Sequence, residues 1–156
     1  LYACGARISK ASNLTVSNVD FSQMQIRLLG KGNKERIVPI HSLALESMRT
    51  YWNVGRRHLA KQESSPHFFL STHGNQWGSD AMRKVFHETL IRAGVDDVYT
   101  PHDMRHTFAS DVLEGGADLR SVQEMLGHSS LSTTQLYTHL NVSTMLATHH
   151  QAHPRG

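Results

Sequence analysis

The chain has 156 residues, 38% of them hydrophobic, with 16 Lys and Arg against 13 Asp and Glu and an isoelectric point near 9.3. That length suits one domain with its own core, and no apolar run reaches the ~18 residues of a membrane span. A net charge of +3 permits a polyanion partner without requiring one.

The single cysteine, Cys4, excludes an intramolecular disulfide and fits a reducing cytoplasm. The chain opens at Leu1 rather than methionine and shows no charged-then-apolar leader. The expectation is a fragment, lacking an amino-terminal part. Twelve histidines are scattered along it rather than clustered as a tag.

Leu1–Leu14 reads as a helix end and the turn after it, with Arg7 and Ser9 near the polar side. Val16–Phe21 alternates apolar and polar residues and predicts a short half-buried strand. Met24–Leu29 and Glu35–Ile40 flank Gly30-Lys31-Gly32-Asn33-Lys34, the pattern of a β-hairpin. Pro39 cannot donate to a ladder and belongs at a strand end or sheet edge. Lys31, Lys34 and Arg36 are expected to project from the hairpin tip, where a lysine can reach a nucleic-acid backbone.

His41–Lys61 carries Leu43, Leu45, Met48, Tyr51, Trp52, Val54 and Leu59 at helical spacing and predicts a core-facing helix. Asp80–Ala93 predicts another, burying Met82, Val85, Phe86 and Leu90 and stopping at Gly94; its Arg83 and Lys84 are candidate DNA contacts. Thr100-Pro101 is a strong helix start, with Asp103 placed to close a capping box. His102 and Arg105 then share one face near the positive end of that helix, a natural seat for an anion. Met104, Phe108, Val112 and Leu113 pack behind, and Gly115-Gly116 end the helix.

Asp118 caps a helix with Leu119, Val122, Met125 and Leu126 as its apolar stripe, stopped by Gly127 before His128. Ser132-Thr133-Thr134-Gln135 is a further capping box, opening a short helix with Leu136, Tyr137 and Leu140. Val142, Met145 and Leu146 start a last amphipathic helix. The chain thus reads as mainly α with a small three-stranded antiparallel β-sheet, an α+β domain spanning residues 1–156.

His102 and His106 stand at the i, i+4 spacing of a helical zinc pair. Asp103 follows His102 where the zincin pattern needs glutamate, no third ligand is suitably spaced, and Arg105 on the same face repels a dication. No metal is assigned, and His106 reads as an orienting or packing residue. A phosphodiester instead matches the arginines, whose guanidinium forks fit phosphate oxygens two at a time. A tyrosine beside such cations becomes a feasible nucleophile, since its proton, held up to a pKa near ~10, needs help to leave.

Leu1-Tyr2-Ala3-Cys4-Gly5-Ala6-Arg7-Ile8-Ser9, Gly30–Arg36, His102–His106 and Leu126-Gly127-His128 through Tyr137 resemble the catalytic domain of the tyrosine recombinases, the phage integrase family. Gly116–Arg120, Ser132–Gln135, Tyr137-Thr138-His139 and His153-Pro154-Arg155 are similar to its bacterial Xer branch. Lys10-Ala11 departs from the Glu-Leu usual in the family after the serine.

The resemblance implies a tyrosine recombinase catalytic-core fold that breaks and rejoins DNA, with no cofactor, metal or ATP. Arg7 and Arg105 match the clamp on the scissile phosphate, and Lys31 the hairpin lysine that protonates the leaving 5′ oxygen. His102 matches the histidine assisting proton transfer, His128 the one hydrogen-bonded to the phosphate, and Tyr137 the nucleophile forming a 3′-phosphotyrosyl link. Lys34, Arg36, Arg83, Lys84 and Thr133 are the expected DNA-binding residues. Replacing Arg105 by alanine is expected to cripple cleavage with folding mostly intact.

The expected partners are a double-stranded DNA recombination site and a second Xer-type recombinase, or a further copy of the chain, in a tetramer on DNA. No membrane is involved, and the setting is the bacterial cytoplasm and nucleoid. The role implied is chromosome dimer resolution, linking recombination to chromosome partition and cell division, with the amino-terminal core-binding domain absent from this chain. Alternatives are an inactive DNA-binding fragment, another integrase or transposon recombinase, a type IB topoisomerase-like enzyme, and a metal-dependent hydrolase.

Overall fold

A computed structural model describes residues 1–30, 35–61 and 65–127 of the chain. The hairpin tip with Lys31 and Lys34, and the segment carrying His128, Thr133 and Tyr137, lie outside the described residues. The three-stranded antiparallel sheet is present in the order β1 (Val19–Asp20), β2 (Gln25–Leu29), β3 (Glu35–Pro39). Leu29 pairs with Glu35 and Gln25 with Pro39, so the proline ends its strand as its missing N–H requires. The predicted first strand is shorter than its alternation suggests, because Val16–Asn18 winds into a 3₁₀ turn.

Six α-helices are present among the described residues: α1 (Ile8–Ser12), α2 (Ser42–Thr50), α3 (Arg56–Leu59), α4 (Ser79–Arg92), α5 (Pro101–Glu114) and α6 (Leu119–Leu126). The helix expected over His41–Lys61 is α2 and α3 joined by a π-helical stretch, Tyr51–Gly55. That wider turn rotates the apolar stripe, so Val54 is exposed while Tyr51 and Trp52 pack on the core. Leu43 is half exposed as well, leaving Leu45 as the buried residue of α2. Helix α4 corrects the sequence reading more plainly. None of its residues is fully buried; Val85 is exposed, and Met82, Phe86 and Leu90 are only partly covered.

Two apolar clusters hold the fold. Ile26, Leu28, Val38 and Ile40 from the sheet region meet Cys4, Ala6, Leu14 and Phe68 in the first. In the second, Phe108 and Val112 of α5 pack with Val122, Met125 and Leu126 of α6. The amino-terminal 3₁₀ turn Tyr2–Cys4 is shared, with Ala3 packing on the first cluster and Tyr2 on the second. Tyr2 Oη also donates to Asp111 Oδ2 at 2.6 Å, anchoring that turn to α5. Gly5 follows at φ +57, where a Cβ would lie 2.6 Å from Phe108 Cδ1 and 2.8 Å from Leu126 Cδ2. Only glycine lets the chain pass this close to both helices. Two residues on, Arg7 lies within electrostatic reach of Arg105 on α5.

Among the described residues no helix is long and apolar enough to cross a membrane.

Candidate active site

Helix α5 starts as its sequence dictates. Thr100 Oγ1 accepts from the backbone N–H of His102 at 3.2 Å and of Asp103 at 3.4 Å, and Asp103 Oδ2 accepts from Thr100 N at 2.7 Å. With Pro101 at the first helical position the capping box is complete. The donated hydrogen bonds from Thr100, hydroxyl first, hold the Asp103 carboxyl below its usual value. This rigid start presents His102 and His106 to solvent and turns Arg105 inward.

Arg105 is 3% exposed, among the most buried charged residues described. Its Nη1 donates to the carbonyl of Gly5 and its Nη2 to that of Leu126 at 2.7 Å. One guanidinium therefore ties the amino-terminal turn to the carboxyl end of α6. Burial, then the like charges of Arg7 and Arg36, push the group down to about 10, with Cys4 acting weakly the other way. It stays cationic at neutral pH, and the charges of Arg7 and Arg36 add to its own. A site so arranged attracts an anion.

Of the residues expected in the site, Arg7, His102 and Arg105 lie within the described structure, and Arg7 and Arg105 come together electrostatically although 98 positions apart (105 minus 7). Arg7 is exposed at the amino-terminal cap of α1, with its backbone extended. His102 Nε2 lies 3.0 Å from His106 Nε2, the two rings edge to face. Lys31, His128 and Tyr137 are outside the described residues.

Arg36 departs from expectation. Rather than projecting from the hairpin tip, it sits in β3 opposite Leu28 and is 7% exposed. Alternation along the strand explains this: Arg36 and Val38, two apart in β3, both face inward. That periodicity is the signal that finds it, and the cluster of cations around the glycines obscures it. Arg83 and Lys84 remain exposed on α4 and engage neighbours on the same helix, Asp80 at 2.7 Å and Glu88 at 4.0 Å. Lys34 and Thr133 lie outside the described residues.

The expectation that Arg105→Ala spares the fold is also corrected. Truncation leaves two buried carbonyls without their donor, and unsatisfied buried groups cost about 1–3 kcal/mol each.

The described fold is a mostly helical domain with a small antiparallel sheet and a buried arginine where α5 meets the end of α6. Residues 1–144 match the model of the phage integrase family, and the chain belongs to that family. It is 44% identical over 156 residues to a tyrosine recombinase XerD of Halalkalibacterium halodurans and 47% identical over 157 residues to a tyrosine recombinase XerC of Mycobacterium sp. strain KMS. All of the chain aligns in both cases, against 52% of each relative, so it spans about half their length. Among solved structures, the XerA recombinase superposes with a TM-score of 0.75 at 33% identity, covering 99% of this chain and 56% of that one. The XerH site-specific recombinase bound to its difH substrate before cleavage gives 0.71 at 28% identity, covering 88% and 40%.

Proposed function

We propose that residues 1–156 are the catalytic domain of a Xer-type site-specific recombinase that cuts and rejoins DNA through Tyr137, within a longer polypeptide that also carries a core-binding module. The observation that carries this reading is the buried guanidinium of Arg105 with Arg7 as its charged neighbour, bonded to Leu126 two positions before His128 in the sequence. A phosphodiester complements the positive charge gathered there. In-line attack by the tyrosyl oxygen spreads charge over the equatorial oxygens, and two guanidiniums bind that distribution better than they bind the ground state.

In this scheme the phenolic oxygen bonds to phosphorus as the bond to the 5′ oxygen breaks. Lys31 gives the leaving oxygen its proton, and His102 assists removal of the phenolic one. His128 and Arg105 hold non-bridging oxygens, and Lys34 and Thr133 contact the flanking backbone. The 3′-phosphotyrosyl bond is kept until a 5′ hydroxyl of the partner strand attacks, so no cofactor enters the balance. The XerH relative was solved bound to difH, its substrate. The same substrate class, a double-stranded recombination site, is proposed here, with a tetramer assembled from this chain and itself or a second recombinase. Chromosomal DNA in the bacterial cytoplasm is the corresponding setting.

A nicked suicide duplex tests the reading. Incubation should trap a protein–DNA adduct that survives denaturant, disappears with Tyr137→Phe and persists in chelator. An adduct formed equally by Tyr137→Phe rejects the assigned nucleophile. Exchange between two sites, rather than simple relaxation of supercoils, separates a recombinase from a type IB topoisomerase.

A further inference from the structure

We propose that Arg36 is a positioning residue of the same anion site, a third guanidinium that readies Arg105 and the Leu126–Gly127 step to receive a phosphate. This inference rests on the function proposed above. The sequence pattern suggests a hairpin-tip contact for Arg36, and its burial in β3 excludes that role.

Two contacts place it. Arg105 Nη2 donates to the carbonyl of Leu126 at 2.7 Å. The Arg36 side chain lies flat on the next residue: a Cβ built on Gly127 would fall 2.8 Å from Arg36 Cζ and 3.3 Å from its Cδ. Gly127 itself sits at φ +66, ending α6 in the left-handed conformation that releases the chain toward His128. Strand β3 and helix α5 thus each deliver a buried arginine to one peptide step. The carboxyl end of α6 makes this tolerable, since its carbonyls carry the negative pole of the helix. Arg36 acts on Arg105 as a like charge.

The arrangement has a functional consequence. Two buried cations held close repel each other, so an arriving oxyanion relieves repulsion that water is too excluded to screen. Arg36 also occupies the space over Gly127 where a side chain would otherwise sit. It acts through Arg105 and that turn, and needs no contact of its own with the reacting atoms.

Inorganic phosphate is the probe, read as the concentration dependence of thermal stabilisation in a Tyr137→Phe background, with suicide-duplex trapping in parallel. Arg36→Met preserves length and apolar contact while removing charge. It should bind phosphate on the order of tenfold more weakly and trap DNA correspondingly more slowly. Arg36→Lys keeps the charge and should hold phosphate within about threefold of the parent protein. A folded methionine variant that binds phosphate like the parent overturns the proposal, and so does a folded lysine variant that has lost phosphate. Should Arg36→Met fail to fold, the lysine variant decides alone. If the parent chain traps no DNA yet the phosphate ranking holds, the recombinase reading fails while the role of Arg36 at the anion site stands. Normal trapping with no phosphate dependence on Arg36 sinks the role of Arg36 and leaves the recombinase reading in place.

Discussion

His102 Nε2 and His106 Nε2 are 3.0 Å apart on successive turns of α5, their ring centroids separated by 4.4 Å. A hydrogen bond between two imidazole nitrogens needs one to donate and the other to accept, so the pair shares a single proton along that line. His106 therefore restrains the orientation of the His102 ring, with donor and acceptor set by the tautomers of the two rings. Both rings are solvent-exposed, so neither supports the core.

His106→Ala should accordingly slow adduct formation on a suicide duplex by about tenfold, below the 10²–10⁴ typical of losing a general acid–base group outright. Thermal stability should barely move. His106→Gln, which can still accept or donate toward His102, should recover part of the rate. A His106→Ala protein that cleaves at the parent rate would show that the ring contact is incidental.

Arg105 invites a sharper separation of stability from chemistry. Its fork bridges Gly5 and Leu126, so Arg105→Ala should destabilise by about 2–5 kcal/mol through two stranded carbonyls and lost packing. Arg105→Lys retains a cation but reaches only one of those carbonyls. It should fold better than the alanine variant while trapping DNA roughly 10²–10³ more slowly than the parent. Denaturant melts and single-turnover trapping on both variants check this. Equal trapping by Arg105→Lys and the parent would remove the fork geometry from the mechanism.

Much of the fold is readable from sequence because local chemistry decides it. Thr100, Pro101 and Asp103 specify the start of α5 among themselves, and Asp118 and Gly127 do the same for α6. The two longer strands follow from alternation around Gly30–Lys34, and Pro39 marks where β3 ends. Tertiary placement decides the features that sequence hides. The π-helical stretch at Tyr51–Gly55 rotates an otherwise regular apolar stripe, and Gly55 alone, at its end, is a poor helix former. Half-covered α4 looks amphipathic in sequence although little of the described fold covers it. Arg36 and Gly127 are 91 positions apart (127 minus 36), and only the folded chain brings them into contact.

Gly5 shows the same dependence in energetic terms. Alanine there must adopt φ +57 and drive its methyl toward Phe108 and Leu126. Left-handed backbone costs about 1–2 kcal/mol and overpacking about 1–3 kcal/mol, so Gly5→Ala should lose roughly 2–5 kcal/mol. The same shift pulls away the carbonyl that receives Arg105, so trapping should fall along with the melting temperature. Pairing Gly5→Ala with Phe108→Leu, which clears the nearest atoms, should restore part of the stability. Failure of any rescue in calorimetry would point to backbone strain as the sole cause.

The capping box supplies a pH dependence of definite sign. Asp103 is held below the ordinary carboxylate value, first by the Thr100 hydroxyl and then by its N–H. A carboxyl depressed on folding adds stability above its unfolded pKa of about 3.9, and that stability drains away as pH falls through the lower folded value. Asp118 has the same sign at the start of α6, through Ser121 Oγ at 2.5 Å and Ser121 N at 3.0 Å. Asp103→Asn should thus melt below the parent at pH 7, and the gap should close as pH falls from about 4. The parent should also lose melting temperature faster than Asp103→Asn over that acid range. Parallel curves from pH 7 to pH 3 would mean that the carboxylate charge does not stabilise the helix start, leaving the hydroxyl of Thr100 as the effective cap.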